Sequence, residues 1–145
     1  MDAIFLIGDE MDKLAHIQKI DGIVLELVRR KELRKLWNGV GSDRPIVGSF
    51  RPPAWICNLF GEASQFHDVA YWVGGTDEHR ELADEEFSRR CFDAVLELGW
   101  WKRIKATFWT AVCGDMVRNF GAWVFTTRQE PCYDVDKLLA EAEAH

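Results

Sequence analysis

The 145-residue chain is 48% apolar and 29% charged, the balance of a globular domain rather than of a disordered or fibrous segment. Its 24 acidic and 18 basic side chains leave a net charge of −6, a whole-molecule field that repels phosphate backbones and anionic membrane surfaces alike and argues against sequence-nonspecific nucleic-acid binding. No stretch reaches the roughly 18 to 20 apolar residues of a membrane span, and the start lacks the basic segment of a secretory leader. The expectation is one domain over 1–145, cytoplasmic or particle-associated, with no signal peptide and no transmembrane segment.

Four cysteines, Cys57, Cys91, Cys113 and Cys132, are spaced 34, 22 and 19 residues apart. That spacing fits neither a paired zinc-binding motif nor a dense disulfide framework, so reduced, mostly buried thiols are expected. From Met11 onward Leu14, Ile17, Ile20, Val24, Leu27 and Val28 recur every three or four positions. This period predicts a first helix over 12–37, with Asp21-Gly22 a candidate interruption and Val24 to Val28 readable as a short strand instead. Its basic end, Arg29 to Lys35, suits the negative pole of a helix.

Three glycines and three prolines predict a loop over 38–55. A helix follows over 58–73, closed by Gly74-Gly75, and Thr76 is placed to cap the next one, 77–98, which ends at Gly99. A further helix over 101–123 is expected to bury Ile104, Phe108, Val112, Met116, Phe120 and Trp123. Its basic and aromatic residues also fit an interface-seeking helix, although the core reading is preferred. Beyond Pro131 a short acidic helix runs toward His145. The fold class is therefore all-α, a small helical domain centred on an antiparallel helix pair.

The chemistry-bearing residues sit on that pair. His67 and Tyr71 are four apart and share a face, whereas Asp68 is turned by roughly 100°. If Gly74-Gly75-Thr76 reverses the chain, residues equidistant from the turn oppose each other, and 67 and 84 are equidistant from the Gly75–Thr76 bond. Asp84 is thus expected against His67, with Tyr71 reaching the same carboxylate. Such a pair fixes one imidazole nitrogen as donor and leaves the other to act as a base on water. Asp68 is left free as an oxygen ligand for a hard cation.

The segments Phe66-His67-Asp68-Val69-Ala70-Tyr71 and Leu82-Ala83-Asp84-Glu85-Glu86-Phe87 resemble the two core helices of the phospholipase A2 superfamily. There an H-D-x-x-Y helix pairs with one carrying A-D-x-x-F. The resemblance covers about thirty residues, 61–91, and extends to bacterial and phage proteins with related motifs. It implies a phospholipase A2-like core and a calcium-dependent acyl-ester hydrolase acting on phospholipid or another acyl ester, including at a membrane interface. By the same resemblance His67 is the water-activating base, Asp68 the calcium ligand, Asp84 and Tyr71 supporting partners, and Phe87 packing. The paired cysteines and glycine-rich calcium loop of secreted members have no counterpart here. Carbonyls from 47–50 or 55–59 are the candidates to complete a cation site.

A second expectation is a non-catalytic binding or assembly module that keeps the His–Asp pair as a structural staple, marked by a sealed His67 or an Asp68 paired with Arg51 or Arg80. His79 is expected to be exposed, His16 and His145 have no identifiable partner, and Ser64 lacks the setting of a nucleophilic serine.

Overall fold

The computed structural model describes residues 3–37 and 52–144. Its regular elements are helices: α1 (Ala3–Arg30), α2 (Ala54–Leu59), α3 (Gly61–Val73), α4 (Asp77–Leu96), α5 (Trp100–Phe120) and α6 (Val135–Glu143), with 3-10 turns at Leu33–Lys35 and Gly121–Trp123. Among the described residues there is no strand, only an isolated bridge between Gly75 and Thr127. The all-α expectation holds, and Val24 to Val28 is helix.

The first helix is displaced toward the N-terminus relative to the expected 12–37. Asp21-Gly22 does not interrupt it, and it stops at Arg30 because Lys31 takes a left-handed conformation, φ 60. The Lys31 amide bonds to the Val28 carbonyl (3.0 Å) and the Glu32 amide to that of Leu27 (2.9 Å). These two bonds form a Schellman closure with lysine where glycine is usual, so no residue type announced the stop.

The other boundaries shift less. The helix expected over 58–73 is two pieces, α2 and α3, jointed at Phe60. α4 stops at Leu96 because Gly99 serves as the N-cap of α5 rather than as the end of α4. The last helix ends at Glu143, short of His145, which lies outside the described residues. Of the loop expected over 38–55, positions 38–51 also lie outside them, and 54–55 begin α2.

The core has two parts. One gathers Ile20, Ile23 and Leu27 of α1, Phe66, Val69, Ala70, Tyr71 and Val73 of α3, and Leu138 and Leu139 of α6. The other gathers Ile56, Phe60, Ala63, Phe87, Cys91, Val95, Ala106 and Cys113. Leu14 and Val28, expected inside, are about half exposed, and His16 is buried instead. Cys91 and Cys113 are buried, Cys57 and Cys132 are partly buried, and all four are free. Burial raises the Cys113 thiol to about 11, so it is an inert packing group rather than a nucleophile.

The largest departure is in α5. Its fully buried residues are the small Ala106, Cys113 and Gly114, with Trp109 and Val117 partly buried against the same core. Ile104, Phe108 and Trp123, expected in the core, are more than half exposed. Small residues bring the α4 and α5 backbones close: a methyl on Gly114 would lie 3.0 Å from Ser88 Oγ. The apolar period was real, but the seam runs along the opposite side of the helix.

Candidate active site

The reversal at Gly74-Gly75 makes the site. Gly74 has φ 68 and Gly75 φ 129, and a Cβ on Gly74 would stand 2.1 Å from the Thr126 carbonyl. Only glycine suits both the angles and the contact. The turn is then clamped by the segment after α5. Thr126 N bonds to the Tyr71 carbonyl (3.2 Å), Arg128 Nη2 to that of Trp72 (3.1 Å) and Cys132 N to that of Val73 (2.9 Å). Three carbonyls left open by the end of α3 are thereby satisfied. On the far side of the turn Thr76 and His79 form a capping box, the imidazole Nδ1 accepting from the Thr76 amide at 3.0 Å.

Equidistant from the Gly75–Thr76 bond, His67 and Asp84 meet. His67 Nε2 lies 2.8 Å from Asp84 Oδ1, and the Tyr71 hydroxyl donates to the same oxygen at 2.5 Å. A carboxylate oxygen accepts only, so Nε2 carries a proton and Nδ1 is the nitrogen left for chemistry. Nδ1 faces the Asp68 carboxylate at 3.8 Å, an ion-pair distance too long for a hydrogen bond. All four residues singled out from the sequence, His67, Asp68, Tyr71 and Asp84, thus occupy one place.

Their environments differ. His67 is 7% exposed and Asp84 3%, whereas the Asp68 side chain is 27% exposed. The His67 ring packs between Tyr71 (centroids 4.2 Å apart) and Phe87 (4.9 Å), and Phe125 meets Tyr71 edge-on. Burial alone would lower the His67 pKa, but the adjacent carboxylates of Asp68 and Asp84 outweigh it and raise the value above the ordinary histidine range. Burial, reinforced by the bond to Asp84, pushes the Tyr71 hydroxyl well above the usual tyrosine range, so it acts here as a fixed donor.

Two contacts of the site were not expected from the sequence. Arg80, one turn before Asp84 on α4, sets Nη1 3.8 Å from Asp84 Oδ2; it turns to Asp84 rather than to Asp68. The i to i+4 spacing was there to be read. Gly121 has an unstrained backbone, but a Cβ on it would stand 2.0 Å from the Tyr71 oxygen. Its bareness makes room for the hydroxyl that reaches Asp84, a long-range contact that no local pattern encodes.

A brace flanks the site. Arg90 of α4 bonds to both oxygens of Asp21 on α1 at 2.8 Å, bonds to Glu86, and stacks on the Phe66 ring at 4.1 Å. Glu86 is nearly buried; burial alone would raise its pKa, yet its bonds to Arg89 and Arg90 prevail and lower it. Asp21, suspected of breaking α1, instead ties it to α4.

The remaining candidates fall elsewhere. His79 is half-buried rather than exposed, its ring 4.8 Å from that of His16, whose Nδ1 is hydrogen-bonded with the Tyr133 hydroxyl at 2.6 Å. Ser64 Oγ accepts from Trp37 Nε1 (2.8 Å) and donates to the Gly61 carbonyl, a structural role. Arg51 lies outside the described residues.

For a hard cation, Asp68 supplies one partly exposed carboxylate. Among the described residues no three His, Cys, Asp or Glu side chains converge on a metal position. The carbonyls expected from 55–59 belong to α2, where that of Ile56 accepts from the Phe60 amide, and 47–50 lie outside the described residues. Among the described residues no helix is long and apolar enough to cross a membrane. Comparison with family models, with curated proteins and with solved structures finds no match for this chain.

Proposed function

We propose that this protein is a phospholipase A2-like acyl-ester hydrolase in which His67 activates water. The observation that carries the reading is the division of labour on one imidazole. Asp84 fixes Nε2 at 2.8 Å and Nδ1 stands beside the partly exposed Asp68. In the neutral ring, the form present above its raised pKa, Nδ1 takes a proton from water as the water oxygen attacks the ester carbonyl carbon, and the proton passes to the departing alcohol as the C–O bond breaks. Asp84 stabilises the imidazolium formed between those steps, and Tyr71 and Arg80 hold Asp84 in place. Asp68 is the residue that would hold a calcium ion, and such an ion supplies a Lewis acid for the ester carbonyl when bound.

A non-catalytic helical binding or assembly module is the second reading, favoured by the 7% exposure of His67. A buried, satisfied network can fix helix register without chemistry. The two part on one assay. Purified protein with calcium is expected to hydrolyse phospholipid vesicles or an activated ester, and His67→Gln to lower turnover by roughly 10²–10⁴-fold while keeping its helical circular dichroism. No hydrolysis of either substrate, or an undiminished rate in the variant, gives the site to the scaffold reading.

A further inference from the structure

Among the described residues nothing covers the outer face of α5. Trp100 and Trp101 are 66% and 73% exposed, their rings edge-to-face at 4.5 Å, and Ile104 and Phe108 continue the same face at 53% and 61%. Phe92 and Leu96, one turn apart at the end of α4, are also about half exposed. Isolated exposed apolar residues are ordinary, but four at helical spacing along one face of α5 form a patch of the kind that marks an interaction site.

Charge says what the patch fits. Between Trp100 and Gly114 α5 carries Lys102, Arg103 and Lys105 and no carboxylate, in a chain whose net charge is −6. Arg103 is partly spent on the Leu96 and Leu98 carbonyls, at 2.9 and 3.2 Å, which pins the start of α5 to the end of α4. Lys102 and Lys105 are exposed. The nearby carboxylates are Asp93, already bonded to Arg89, Glu97, and Asp115, two turns beyond Phe108, which pairs with Arg118 at 3.7 Å. A second copy docked through this face would oppose like cations, so the charge disfavours a dimer there. Tryptophan beside lysine on an amphipathic helix suits a lipid headgroup layer, with rings at the acyl boundary and ammonium groups at the phosphates.

We infer that the Trp100–Phe108 face of α5 seats the protein on an anionic lipid surface. This names where the lipid of the proposed hydrolase would meet the chain, but adsorption does not require His67, so the two claims fail separately. The test is co-sedimentation with phosphatidylcholine vesicles that contain or lack phosphatidylglycerol, at low and high salt. Wild type and His67→Gln are expected to bind the anionic vesicles alike and to release in high salt. The Trp100→Ala/Trp101→Ala and Lys102→Glu/Lys105→Glu variants are each expected to bind about tenfold more weakly. Failure of the wild type to bind anionic vesicles, or equal binding by both double variants, overturns the inference. So does a dimer in sedimentation velocity that the tryptophan variant dissociates, because that assigns the face to a second copy.

Discussion

At the turn between α3 and α4, aromatic rings close over polar atoms: Tyr71, Phe87 and Phe125 wall in a histidine and a carboxylate that satisfy each other. Some twenty residues on, at the junction of α4 and α5, Trp100, Trp101 and Phe108 face solvent while alanine, cysteine and glycine make the helix seam. The same residue class is thus spent in two ways. Where the chain must bury charge, large rings exclude water and raise the value of every polar bond inside. Where two backbones must come close, small residues line the seam, and apart from Trp109, which is partly buried beside them, the large side chains at the start of α5 are left outside, available for another surface.

The comparison predicts unequal sensitivity. Removing the shared acceptor should be the most damaging change, because Asp84→Ala leaves the His67 Nε2 proton and the Tyr71 hydroxyl buried without a partner. A loss of about 3–5 kcal/mol is expected, measured by urea denaturation at neutral pH. A loss below about 1 kcal/mol would mean the network is not what holds this end together.

Next comes the space around Tyr71. A Cβ on Gly121 would stand 2.0 Å from the Tyr71 oxygen, so Gly121→Ala should cost about 1–3 kcal/mol by overpacking. Tyr71→Phe removes the clashing atom, and the double variant should lose clearly less than the sum of the two single losses. Additive losses would show that Gly121 acts through its own backbone and not through the hydroxyl.

The network was legible because local rules position it. His67 and Asp84 are equidistant from a turn that its glycines announce, and Tyr71 follows His67 by one helical turn. Arg80, expected as a partner of Asp68, obeys the same spacing toward Asp84, and that pairing was equally legible. Gly121 was not, since its role depends on where the chain returns after α5. The stripe of α5 failed for a related reason. Period locates an apolar face but does not say whether it or a small-residue face turns inward, and that choice is made by the partner helix. The end of α1 at a left-handed Lys31 had no residue signal at all.

The His16 cluster tests whether the turn end depends on polar burial away from His67. Burial, with His79 and Lys19 nearby, lowers the His16 pKa from 6.5 to about 4. The unfolded chain therefore binds a proton between those values that the folded chain refuses, so stability falls as pH drops from about 6.5 toward 4. A change of about 1–2 kcal/mol is expected after allowance for local rearrangement. In His16→Gln that share of the slope should vanish from a series of melting curves across this pH range. An unchanged slope would place the titration on other groups.

The smallest effect should come from the α5 surface, and its smallness is the point. Ile104 and Phe108 are more than half exposed, so polar replacement gives up little buried area. Phe108→Gln and Ile104→Gln are each expected within about 0.5 kcal/mol of wild type. By contrast Ala106→Leu, on the buried seam, must push α4 away and should cost about 1–3 kcal/mol. If the glutamine variants lose as much as the leucine variant, the large residues of α5 are core after all, and the helix sits rotated from the position described. If they do not, the outer face is free of any folding duty, and its two tryptophans and two lysines are there to be explained by what they touch outside the chain.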